Sequence, residues 1–365
     1  MEKFRTFLKR KNIVISGRRY GIDALGAMAQ GLFCSLLIGT IVKTLGEQTG
    51  LPFLVDVGGF ASAMSGAAMA VAIGWALKAP PLVLFSLATV GYAANALGST
   101  TLDGRSGAGG PLAVLFIAII AGEFGKAVSK ETKVDILVTP LVTILIGVGL
   151  SALAAPAIGT AATAVGNVIK WATELQPFFM GIVVSVLMGM ALTLPISSAA
   201  ICTAFGLTGL AGGAAVAGCC ANMVGFAVLS FRENRWGGLV SQGIGTSMLQ
   251  MGNIVKNPRI WLPAILTSAV TGPVATCLFQ LEMNGPPVSA GMGTCGLVGQ
   301  IGVWTGWLSP SETALADGAA AIAPGAFEWT GLIMISFVLP AVLCWAFGLW
   351  FRRMGWIREG DLKLD

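Results

Sequence analysis

Residues 191–259 read ALTLPISSAAICTAFGLTGLAGGAAVAGCCANMVGFAVLSFRENRWGGLVSQGIGTSMLQMGNIVKNPR. The stretch is apolar enough for the depth of a bilayer, yet Gly, Ser, Thr, Asn and Gln interrupt it throughout. An uninterrupted spanning helix has no reason to carry so many helix-weakening residues. At membrane depth, non-helical backbone survives only where protein buries it or where it lines a polar cavity, because no water is there to satisfy its N–H and C=O groups. An apolar segment broken in this way points to the place where a polar solute crosses.

The surrounding chain agrees. Mean hydropathy is +0.82, and 11% of the 365 residues are charged against 55% hydrophobic, whereas soluble domains carry roughly 25% charged residues. Several apolar runs reach the roughly 20 residues that cross a bilayer. The expected fold is therefore all-α: a polytopic membrane helix bundle of about 8–10 crossings. Fifty glycines suit helices that associate through close backbone contact, since lipid supplies no hydrophobic drive for helix pairing. The net charge of +5 is topological information rather than a nucleic-acid signal, because the basic residues sit at the chain ends and in short loops. Cys34, Cys202, Cys219, Cys220, Cys277, Cys295 and Cys344 all fall in apolar stretches without metal spacing, and the vicinal pair reads as small packing residues. There is no histidine, which removes the commonest proton shuttle, histidine-based metal sites and a phosphohistidine relay within this chain. No metal and no cofactor is expected.

In chain order, residues 1–22 form a basic leader, expected to be amphipathic and cytoplasmic, with spans expected over 23–44, 58–77, from Pro80 to Leu97, and 111–128. The loop 99–110 reads as an external turn, or as a re-entrant loop with Asn95 and Asp103 facing a cavity. Residues 134–165 are long for one span and contain Pro140 and Pro156, so a tilted or broken helix is expected. Residues 167–176 look interfacial, and 177–195 form the next span. Arg232, Arg235, Lys256 and Arg259 mark cytoplasmic loops, so 196–230 must leave and return on one side, as a re-entrant hairpin bent between Gly206 and Gly218. Residues 237–253 read as a shorter dip or an interfacial helix, followed by a span over 260–280. Residues 283–306 then form a second re-entrant hairpin; its GMGTCG matches G-x-G-x-x-G, but no βαβ unit surrounds it. A last span covers 328–351, and 352–365 form a cytoplasmic tail. The expected division is a leader (1–22), one membrane domain (23–351) and a tail (352–365), with both termini in the cytoplasm.

The run LTLPISSAAI, continuing through GLTGLAGGAAVAGCCANMVGFAVLSFRENRWGGLVSQGIGTSMLQMGNIVKNPRIWLP and followed by GMGTCGLVGQIG, resembles the enzyme-IIC-like membrane family of the bacterial phosphotransferase system, in the branch that includes perfringolysin-regulator type proteins. The resemblance spans nearly the whole chain and is strongest from Ala191 to Gly306. It implies a sugar permease of the bacterial cytoplasmic membrane, working as a homodimer by alternating access, with the sugar held between a mobile hairpin-bearing half and a dimerising scaffold. It also implies separate partners: a IIB protein that phosphorylates the bound sugar and a IIA protein that supplies the phosphate. Neither module lies within these residues, so the chain is at most the membrane component of a sugar phosphotransferase. Glucose-type permeases place a histidine and a glutamate near the sugar, and the histidine is missing here. Two alternatives stay open: a secondary transporter of a polar or anionic solute without phosphorylation, and a membrane-bound regulator or sensor.

A bound sugar needs fixed donors and acceptors in a partly dry pocket. Thr193, Ser197 and Ser198 offer them at the LPISSAA turn, where a serine equally serves as a helix cap. Asn222, alone among apolar neighbours, must bond either to another helix or to a ligand. Gln242, Gln250 and Asn253 have a spacing that lets them share a helical face and read as a cavity lining. Glu282 and Gln300 are the polar candidates of the second hairpin. Glu233, between Arg232 and Arg235, reads as part of a solvated ion cluster, or as a base on a sugar hydroxyl or a contact for a phosphorylated partner.

Overall fold

The computed structural model describes residues 2–364, with side chains from Thr6 onward. Regular structure among the described residues is helical, with only two isolated β-bridges. Among the described residues, seven helices are long and apolar enough to cross a membrane, or eight if one bent pair is a single span. The protein is an all-α polytopic membrane bundle. It forms two compact units, one running to Ala162 and the second beginning at Thr163.

The first unit contains α1 (Glu2–Arg10), α2 (Arg19–Thr49), α3 (Pro52–Ala63), α4 (Ser65–Ala76), α5 (Pro81–Gly98) and α6 (Gly110–Val128). Helices α3 and α4 are bent by 47° at their junction, so the expected single span over 58–77 takes in the end of α3 and all of α4, across the bend. Proline opens α3 and α5, where its missing N–H costs nothing and its fixed φ favours the first turn. Glycines set the helix spacing: a Cβ on Gly31 would lie 2.6 Å from Ala68 O, and Gly66 of α4 meets Gly91 O of α5. Residues 99–107 close into a turn through Thr101 N to Arg105 O and Gly107 N to Ser99 O, with Asp103 exposed.

Helix α7 (Asp135–Thr173) runs unbroken for 39 residues through Pro140 and Pro156, and the division between the units falls within it. The segment expected to be interfacial, 167–176, begins as its last turns.

The second unit is organised around α10 (Gly209–Leu229), which follows α8 (Pro177–Thr193) and the eight-residue α9 (Ser198–Phe205). Within α10, 94% of an 18-residue window is buried. Its sequence explains why: GLAGGAAVAGCCANM is mostly Gly, Ala and Cys, so neighbours can approach its backbone closely. A Cβ on Gly218 would strike Ser185 O of α8, and one on Gly213 would strike Leu281 O. One on Gly225 would stand 3.0 Å from Cys344 Sγ. Cys344 belongs to the last long helix, Ala326–Arg353. Gly181 of α8 meets Gly272 of the helix Pro258–Leu278 in the same way.

This packing refines the first expected hairpin. The bend is confined to the residues between Phe205 and Gly209, so one arm is a short helix and the other is long enough to span. The small residues of 212–218 do not break the helix, because close packing against α8 and Leu281 outweighs their weak intrinsic propensity. The second expected hairpin is broken more thoroughly. It consists of a single turn (Pro287–Ala290), left-handed backbone at Gly293, Gly296 and Leu297, and then a helix over Val298–Leu308. Residues 231–256 divide into Phe231–Val240, a π-helical turn over Ser241–Gly245, Ser247–Gln250 and Met251–Lys256.

Candidate functional site

The two broken segments meet. Pro195 lies in the break between α8 and α9, and Ser197 caps α9 by accepting from Ala200 N at 3.2 Å. The next residue, Ser198, turns the other way: its Oγ donates to Gly291 O of the second segment at 2.7 Å. A Cβ on Gly291 would lie 2.6 Å from the carbonyl of Ser198, so the contact needs glycine there. Ser198 and Gly291 are both buried. Beyond α9, left-handed Gly206 and Gly209 turn the chain into α10. Gly209 exchanges two backbone hydrogen bonds with Met283 (3.1 and 3.0 Å) and also donates to Asn284 Oδ1 at 3.2 Å. Asn284 in turn donates to Glu282 Oε2 at 2.8 Å. Glu282 is exposed, so this edge of the seam carries an accessible carboxylate held in place by a buried amide.

The opposite end of the second segment lies against α10. Gly293 packs on Cys219 and Cys220. Gln300 donates through Nε2 to Ser336 Oγ at 2.9 Å and to Cys220 Sγ at 3.3 Å. Its Oε1 is buried and has no partner among the described residues. A buried amide oxygen left unpaired costs about 1–3 kcal/mol, so a ligand hydroxyl bonded to this acceptor would recover that cost.

The remaining candidates divide by what their polar atoms already touch. Asn222 Oδ1 accepts from Trp261 Nε1 (2.9 Å) and Thr193 Oγ1 (3.2 Å). Its Nδ2 donates to Gly218 O and Ser268 Oγ, both at 3.2 Å. The amide has two donors and two acceptor positions, and all four are used inside the protein. Thr193 also shares a 2.8 Å bond with Ser247. Gln242, Gln250 and Asn253 do not share one helical face, because they lie on three successive short helices, Ser241–Gly245, Ser247–Gln250 and Met251–Lys256, the first two separated by extended backbone at Thr246. They still form a chain of amides: Gln250 Nε2 donates to Gln242 Oε1 at 2.9 Å, and Asn253 Nδ2 to Gln250 Oε1 at 2.8 Å. The chain ends on the C-terminal segment, with Gln250 bonded to Leu362 O and Asn253 to Lys363 O.

Glu233 pairs with neither neighbouring arginine. Arg352, at the end of the last long helix, donates to its Oε1 at 2.7 Å, and the Glu233 side chain is only 5% exposed.

Trp261, Ser268, Asn284 and Ser336 are partners that sequence reasoning did not single out. Asn284 alone had a local signal, lying two residues from Glu282 in a Gly/Pro-rich break. The other three look in sequence like ordinary residues of spanning helices.

A protein-family model described as phosphotransferase system, EIIC, matches residues 22–364. Comparison with curated proteins and with solved structures finds no match.

Proposed function

The chain belongs to the phosphotransferase-system EIIC family, and from that premise we propose that it moves a sugar across the bacterial cytoplasmic membrane through the seam between its two broken segments. The observation that carries this reading is the junction itself: Ser198 of one segment bonded to Gly291 of the other, with the unpartnered acceptor of Gln300 on the same segment as Gly291. Ser198, Glu282 and Gln300 are the proposed sugar contacts, offering a hydroxyl, a carboxylate and an amide oxygen to sugar hydroxyls. Thr193, Asn222, Gln242, Gln250 and Asn253 hold the frame, since their amides and hydroxyls are engaged within it. Ser197 holds the start of α9.

In this conformation the seam is closed. Admitting a sugar requires the segments to part, and the left-handed glycines Gly206, Gly209 and Gly293 are the positions that absorb such a change at least cost. A ligand that binds the parted state better shifts the population toward it, which is the step alternating access needs. The basic residues at the chain ends and in short loops support cytoplasmic termini. The leader (1–22), membrane domain (23–351) and tail (352–365) belong to the same proposal. The family implies IIA and IIB partners in general, and the absence of histidine fits a chain that takes no phosphate itself. Glu233, held by Arg352, belongs in this reading to the anchoring of the last helix rather than to sugar chemistry. A second copy of the chain completes the proposed assembly.

The test is uptake into proteoliposomes across a panel of sugars, with and without soluble phosphoryl-donor proteins. The expected result is a sugar that emerges phosphorylated only when the donors are present, with uptake lost in Gln300→Leu. Flux indifferent to the donors would make the chain a secondary transporter, and binding without flux would make it a sensor.

A further inference from the structure

The first unit contains a polar cavity remote in sequence from the seam, of about 360 Å³, lined by Arg10, Lys11, Lys78, Lys126, Lys130 and Glu131 among others. Three helix ends converge on it: Asn12 follows α1, Lys78 follows α4 and Lys130 follows α6. Five cations face one carboxylate in the lining. Of the charged groups bonded to the lining, Arg19 adds one cation, and Glu123 and Asp135 add two carboxylates, leaving a net charge of +3.

Part of this charge serves the fold. Basic groups near helix C-termini satisfy the last carbonyls and suit the helix dipole. Lys126, 1% exposed, donates to Asn12 O and Leu77 O and pairs with Glu123 at 2.8 Å. Lys11 bonds Ser129 O and Glu131, and Arg19 bonds Asn12 and Leu77 O. The dipole suits Lys78 and Lys130 as well, but the bonding to carbonyls does not extend to their side chains. Their ammonium groups make no hydrogen bond or ion pair with the described residues, and both are exposed. Both also stand in left-handed backbone, at φ 55° and 61°. Glycine is the residue of least cost just past a helix end. The backbone N–H groups are bonded, Lys130 to Asp135 Oδ1 and Lys78 to Trp75 O, but a lysine in this conformation still costs more than glycine, and backbone of this kind collects at ligand sites.

A second cavity, of about 480 Å³, shares Lys78 and is otherwise lined by Trp75, Ala76 and Ala79, with Trp75 exposed. A charged recess thus adjoins an apolar one, and Lys78 stands between them. Basic recesses between spanning helices suit anionic headgroups. We propose that this pair of cavities binds a phosphate-bearing anion, with Lys78 and Lys130 contacting the phosphate and the Trp75 recess taking the apolar part of an anionic phospholipid. The phosphate contact is common to a lipid headgroup and to free phosphate; the apolar recess favours the lipid.

The experiment uses full-chain protein, delipidated in detergent. Binding of phosphatidylglycerol and phosphatidylcholine is followed by native mass spectrometry, for the unsubstituted protein and for K78Q/K130Q, and inorganic phosphate is tested as a competitor. Both substitutions are at exposed positions and leave the Lys126 and Lys11 bonds intact, and an unchanged unfolding temperature checks this. The expected result is preference for phosphatidylglycerol, weakened about tenfold or more in the double variant, with phosphatidylcholine unaffected. Phosphate bound directly, with the same dependence on the two lysines, supports the phosphate site with a soluble source. Phosphatidylglycerol bound equally by both proteins would overturn the proposal.

Discussion

Asn222 sits at 0% exposure with its two donors and two acceptor positions filled by two other helices and its own. Asn222→Ala strands the indole N–H of Trp261 and takes one partner each from Thr193 and Ser268, which keep their bonds to Gly189 O and Ala264 O, at a cost of about 2 kcal/mol. A lower unfolding temperature in detergent is the expected readout, and a purely ligand-facing asparagine would show none. Glu233 gives a sharper case. Arg352→Leu leaves a carboxylate buried without its cation, a loss of about 3–5 kcal/mol, whereas replacing both partners by leucine recovers most of it. The pair is tested by comparing the two single variants with the double variant. Sequence reasoning found Asn222 for a sound reason, since a lone amide in apolar surroundings must be partnered, and found Glu233 as a carboxylate between two arginines, in a cluster expected to be solvated. It could not find the partners. Arg352 lies 119 positions from Glu233, while two arginines stand beside it in the chain and draw attention away.

At the scale of elements, spans were legible because a run of apolar residues long enough for the bilayer has few other uses. The arms of the first hairpin were not, because glycine has opposite meanings: it weakens an isolated helix and permits the close contacts that stabilise a buried one. The structure separates the two meanings. Gly213→Ala drives a methyl group into Leu281 O and is expected to cost about 1–3 kcal/mol, together with much of the transport activity. Gly59→Ala, with no atom within 4 Å of the new methyl, is expected to be neutral or slightly stabilising. Equal effects in thermal unfolding and uptake would contradict this reading of α10. The C-terminal segment is a second element that composition hid, being short, polar and apparently a simple tail. It bonds Asn234, Gln250 and Asn253 through the backbone of residues 362–364. Removing residues 359–365 unpairs those amides, so faster hydrogen exchange across 231–256 is expected, with little change in α2–α6.

For the whole molecule, class and family followed from the sequence, whereas the division into two units did not. Its boundary falls inside a single continuous helix, Asp135–Thr173, where no loop, charge run or change of composition marks it. The division bears on function, because both broken segments and their candidate sugar contacts lie in the second unit, while the basic cavity lies in the first. The most direct test of transport through the seam is hydrogen exchange on the purified full chain, with and without a sugar that it takes up. Protection is expected to rise or fall in 194–209 and 282–300 together, with 65–128 unchanged. A transported sugar that leaves both of those segments unaltered, or that alters only the first unit, would contradict the seam as the path.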